Sequence, residues 1–80
     1  ELFFEVFRFT YQLVGIMIQT RTLLVRKHYE HLHRHGFQGM RSEPVLEELG
    51  MTKGALYHYF PNKLAIGYAI VEEIIRPEYT

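Results

Sequence analysis

The tetrapeptide Leu49-Gly50-Met51-Thr52 constrains this chain more than any other feature. It separates two short stretches with helical apolar spacing. Two short helices joined by a turn of three or four residues containing Gly form a helix-turn-helix. The flanking punctuation supports the same division. Ser42 can cap the first of the two helices, with Pro44 in its first turn, where the missing N–H is harmless. Gly50 ends that helix, Met51 plugs the corner, and Thr52 can cap the next, which runs to Phe60. Pro61 stops it, Asn62 caps a fourth helix, and that one runs to Arg76 before Pro77.

Upstream, Thr20 is a plausible N-cap for a first helix ending near His35, where Gly36 supplies a left-handed stop and Phe37 the hydrophobic contact after it. Leu24, Val25, His28 and Leu32 form its expected inner stripe. Val45, Leu46 and Leu49 form that of the second helix. Thr52, Leu56, Tyr59 and Phe60 share the inner arc of the third. Residues 1–19 fit a strand period and a helical stripe equally, and four of the six Phe fall in the first nine positions. Met17 as natural initiator, with residues 1–16 an upstream remnant, is one reading. An extra helix packed on the domain or on a partner is the other.

Eighty residues make one small domain, burying about 60% of the unfolded surface. With 48% hydrophobic and 22% charged residues the chain is a folded globule. With no cysteine it has neither a disulfide framework nor a zinc-thiolate site. Glu5 and Arg8 interrupt its longest apolar stretch, so a membrane span or signal peptide is not expected. An intracellular, cytoplasmic domain is the default.

Nine basic and nine acidic residues give a net charge of zero, which at face value argues against a nucleic-acid partner. The distribution argues otherwise. Residues 17–63 carry seven Lys/Arg against four Glu, a net of +3, while the flanking segments are acidic. All five histidines lie in the basic middle. On the third helix, Gly54 and His58 lie opposite the core arc, flanked by Ala55, Tyr57 and Lys53. Small residues let a helix approach a groove closely, and Tyr and His can donate to phosphates. Lys53 and Lys63 stand in first turns, where a cation is mildly destabilising unless an anion binds there.

The run Thr52-Lys53-Gly54-Ala55-Leu56-Tyr57-His58-Tyr59-Phe60-Pro61-Asn62-Lys63, with Gly50-Met51 before it, closely resembles the DNA-binding signature of TetR-type bacterial transcriptional regulators. The likeness extends over roughly residues 19–76. It implies an all-α fold: a three-helix bundle with a homeodomain-like helix-turn-helix and the start of a connecting fourth helix. Residues 1–18 are then an atypical apolar extension, 19–61 the DNA-binding domain, and 62–80 the link to a C-terminal ligand and dimerisation domain that is absent.

The same resemblance implies that Lys53, Gly54 and Ala55 approach base edges or the sugar-phosphate chain. It assigns Tyr57, His58 and Tyr59 to phosphates, Lys63 to a phosphate clamp, and Ser42, helped by Arg41, to a backbone contact. The implied partners are double-stranded DNA with a near-palindromic operator, a second copy in a homodimer, and a small-molecule effector bound by the missing domain. Repression is the expected role. His28 and His31 stand where the family has small or aliphatic core residues, and Leu46 where a small one is common. With the C-terminal domain absent the chain reads as a fragment, and the apolar surround of Leu64–Val71 fits a missing partner surface.

His28, His31 and His35 share one arc of the first helix, a spacing that can gather imidazoles round a metal. No Asp or Cys is near, and the simpler reading is that these rings are solvated or hydrogen-bonded. No metal, no cofactor and no enzymatic activity is expected: Ser/Cys-His-carboxylate order, a phosphate-cradling glycine loop and paired acids are all missing. The alternative to a DNA reader is a protein-interaction module docking a partner through the apolar N-terminus and fourth helix.

Overall fold

The computed structural model describes residues 2–78; Glu1, Tyr79 and Thr80 lie outside the described residues. The order is α1 (Leu2–Gly39), α2 (Glu43–Leu49), α3 (Lys53–Tyr59), α4 (Lys63–Ile70), a π-helical stretch (Val71–Ile75) and α5 (Arg76–Glu78). There is no strand among the described residues. None of the described helices is long and apolar enough to cross a membrane.

Helix α1 departs from the expected start at Thr20. The chain is already helical at Leu2 and passes through Thr20 without a break. Instead of capping, the Thr20 hydroxyl donates to the Ile16 carbonyl at 2.9 Å, a back-bond inside a continuous helix. No proline interrupts residues 2–19, so the ladder has no reason to stop there. A straight helix from Leu2 to His35 would be roughly 50 Å long, close to the 51 Å long axis of the molecule. Its first turns project beyond the core, leaving Phe3, Phe4, Phe7 and Phe9 exposed.

Gly36 ends the regular part of α1 at φ 72°, ψ 172°. The positive φ was expected, but this is the extended glycine-only region rather than a left-handed cap. It turns the chain so that Met40, with 2% exposure, becomes a core residue. Gly50 does adopt the left-handed conformation, at φ 67°, ψ 33°, and its N–H bonds back to Glu47. The Met51 N–H closes the turn on the Leu46 carbonyl at 2.9 Å.

The caps of α3 and α4 are as expected. Thr52 Oγ1 accepts from the Ala55 N–H at 3.2 Å, and Asn62 Oδ1 from the Ala65 N–H at 2.8 Å. Helix α3 ends at Tyr59, one residue early, because Phe60 precedes a proline and is driven to the extended conformation (φ −139°, ψ 112°). Helix α4 does not run unchanged to Arg76: it widens into the π stretch at Val71, and the chain stays helical through Pro77. Pro77 has no N–H to give the Glu73 carbonyl, and just before it the Arg76 N–H bonds to the Val71 carbonyl, five residues back.

The core is one cluster: Leu24 and Val25 of α1, Met40, Val45 and Leu46 of α2, Leu56 of α3, Phe60, and Ile66, Ala69 and Ile70 of α4. Each large side chain taken out of water here contributes about 1.5–3 kcal/mol. Leu32, Leu49, Met51 and Tyr59 are partly buried around it, while Thr52 is exposed and serves only as the cap. Leu46 is accommodated at 5% exposure. On the outside, Arg21 ties three elements together. Its Nη1 lies 2.6 Å from Glu73 of the π stretch, and its guanidinium sits 5.1 Å from the centroid of the Phe60 ring.

Candidate nucleic-acid interface

Helix α3 is held from below and left open above. Leu56 and Phe60 are 3% exposed and anchor it in the core, with Tyr59 half-buried beside them. Lys53, Gly54, Tyr57 and His58 are exposed on the other side, and Ala55 lies at the margin. A Cβ at Gly54 would meet nothing closer than the Thr52 hydroxyl, 3.8 Å away. The outer face of α3 is therefore smooth at its start and carries the Tyr57 and His58 side chains toward its end.

Beside α3 lies a cleft of about 470 Å³ bounded by the start of α2, α3 and the start of α4. Arg41, Lys53 and Lys63 bring three cations to it, with Tyr57 on its wall. The two lysines are not equivalent. Lys53 Nζ lies 3.3 Å from Glu43 Oε1 of α2. Lys63 Nζ donates to the Gln38 carbonyl at 3.3 Å and sits 5.0 Å from the centroid of the Phe37 ring. The last residues of α1, beyond Gly36, thus orient the Lys63 ammonium without neutralising it. The Glu43 carboxyl lies below its usual pKa: its own backbone N–H and the Lys53 hydrogen bond favour the ionised form, and the Lys53 and Arg41 charges add to this.

Ser42 is placed differently from the other expected contact residues. It stands at the start of α2, but its backbone is already helical (φ −84°, ψ −27°) and its side chain makes no cap bond. Its Oγ turns inward to His28 Nε2, at 2.9 Å. His28 is fully buried, and its Nδ1 lies 2.8 Å from the Leu24 carbonyl. A carbonyl can only accept, so Nδ1 carries the hydrogen. In the neutral ring Nε2 then accepts from the Ser42 hydroxyl. Burial pushes the His28 pKa down, opposed by the Leu24 bond, with the neighbouring His31 lowering it further.

The three histidines of the α1 arc are not brought together. Both ring nitrogens of His28 are engaged inside, while His31 and His35 lie ring against ring with centroids 4.5 Å apart. His31 Nδ1 takes the Arg41 backbone N–H at 3.3 Å. Among the described residues no group of three or more His, Cys, Asp or Glu is arranged to hold a metal ion.

Of the expected site residues, Lys53, Gly54, Ala55, Tyr57 and His58 share the outer side or margin of α3, and Lys63 joins them across the cleft. Tyr59 leans into the core and Ser42 faces His28. Sequence reading missed the Glu43–Lys53 pair and the Gln38 carbonyl under Lys63. Neither carries a local signal, since each joins residues from different elements.

A family model for the bacterial regulatory proteins of the tetR family matches residues 29–70, from the second half of α1 to the end of α4. Among curated proteins, the chain is similar to the transcriptional regulator AcuR of Cereibacter sphaeroides, with 37% identity over 49 residues. That match covers 61% of this chain and 22% of the relative, so the chain spans about a fifth of that protein's length. No solved structure matches significantly. The matched residues contain the whole helix-turn-helix, its caps and the cationic cleft. The chain belongs to the tetR family of bacterial regulatory proteins, and its helical body is the DNA-binding domain of such a regulator.

Proposed function

We propose that this domain reads operator DNA with α3 in the major groove and serves a repressor. The observation that carries the reading is the two-sided build of α3, anchored by Leu56 and Phe60 while Lys53, Gly54, Tyr57 and His58 face outward. Gly54 and Ala55 let the helix backbone come close to base edges, and Lys53 reaches bases or the sugar-phosphate chain. Tyr57, His58 and Lys63 hold phosphates, with Tyr59 contributing from the margin. Ser42 contributes through its bond to His28, which sets the start of α2. Like the curated relative, the whole protein regulates transcription. It does so in the cytoplasm, as a homodimer on a near-palindromic operator and without enzymatic chemistry. Residues 62–80 link this domain to a C-terminal domain that pairs the two copies and binds a small-molecule effector.

Titration of duplex DNA across a salt series tests this. Binding is expected to weaken steeply with salt. Lys63→Ala should weaken all sequences alike and make the log–log slope shallower by about one unit. Binding indifferent to both salt and Lys63→Ala would instead favour a helical protein-interaction module, working through the exposed apolar side chains of α1 and α4.

A further inference from the structure

We propose that Glu43 is a resident anion that Lys53 must leave before it can take a DNA phosphate, so that Glu43 lowers the domain's affinity for duplex of any sequence. This rests on the DNA-reading function proposed above. The two side chains come from different helices, meet at 3.3 Å, and are each about 60% exposed, so the pair is open to exchange. Both line the cleft that also holds Arg41 and Lys63. A carboxylate there presents the same charge and the same acceptor oxygens as a phosphodiester. A phosphate chain drawn to these cations therefore either displaces Glu43 from Lys53 or lies beside it and is repelled. Glu48 of α2 is directed elsewhere, pairing with Lys27 of α1 at 2.8 Å.

The test is titration of a mixed-sequence duplex at low salt with the full chain, its Glu43→Gln variant, and Glu47→Gln as a control with the same change in net charge. Glu43→Gln should bind about two- to five-fold more tightly than Glu47→Gln, the range expected for releasing one exposed ion pair. In a double-mutant cycle, Lys53→Met should weaken binding more in the Glu43→Gln background than in the parent, because the lysine is then fully available. If the parent binds but Glu43→Gln matches or falls below Glu47→Gln, the proposal is overturned. A gain from Glu43→Gln that is the same with and without the Lys53→Met change also overturns it. Failure of the parent to bind duplex at low salt overturns the DNA-reading function itself, and is distinguishable from both.

Discussion

Nε2 of His28 lies 2.9 Å from Oγ of Ser42, so a polar pair at the edge of the core, its imidazole fully buried, joins α1 to the start of α2. Each member satisfies the other, and no buried side-chain polar atom among the described residues is left without a partner. Replacing one partner leaves the other without its bond. Ser42→Ala is expected to lower stability by about 1–3 kcal/mol through the orphaned imidazole nitrogen. His28→Ala adds a cavity and should lower it by about 2–4 kcal/mol. The double variant His28→Leu/Ser42→Ala should lose less than the single losses summed, measured by urea unfolding.

The same histidine makes stability depend on pH. Its pKa in the folded chain lies below the ordinary value of 6.5, so between the two values the unfolded chain binds a proton that the folded chain does not. Stability is therefore full above about pH 6.5 and falls on acidification until the folded pKa is reached. Urea midpoints at a series of pH values should show this fall. In His28→Leu it should be reduced to what remains from His31, whose pKa is lowered in the same direction.

Gly50 occupies a backbone region, φ 67°, that a side chain strains. Gly50→Ala is expected to cost about 1 kcal/mol, and Gly50→Asn less, because Asn tolerates the left-handed conformation. Thermal unfolding of the two variants checks the order. Since the turn sets the angle of α3 to α2, Gly50→Ala should weaken duplex binding more than its loss of stability alone requires.

Arg21 reaches both the Glu73 carboxylate and the Phe60 ring, and the two contacts differ in weight. The ion pair is about 40% exposed on both sides, so a double-mutant cycle between Arg21→Ala and Glu73→Ala should give a coupling below about 1 kcal/mol. The single variant Arg21→Ala should cost more than that coupling, because it also uncovers the face of Phe60.

The turn at Gly50, the caps at Thr52 and Asn62, and the inward placing of Leu56, Tyr59 and Phe60 were legible in the sequence, while Thr52, expected on the same arc, is exposed. Each depends on a few neighbouring residues: a positive φ, a side-chain oxygen three positions before an N–H, or a 3.6-residue repeat. Thr20 and Ser42 carried the same kind of signal, and there the local rule failed. Thr20 had an uninterrupted apolar helix ahead of it, so its hydroxyl bonded backward to Ile16. Ser42 had His28 within reach across the core, a partner fourteen positions away in the chain.

Local chemistry along the chain is enough to specify the short helices after Gly36, their order, and a basic middle segment whose charge the acidic ends cancel. How that charge is used follows from packing. Folding set Lys53 against Glu43, placed Lys63 on the Gln38 carbonyl beside Phe37, and turned Met40 inward while the first turns of α1 projected free. The difference is one of range. Capping and turn energies act within one helical turn, whereas an ion pair or a core contact exists only once packing has brought two separate elements within a few ångströms.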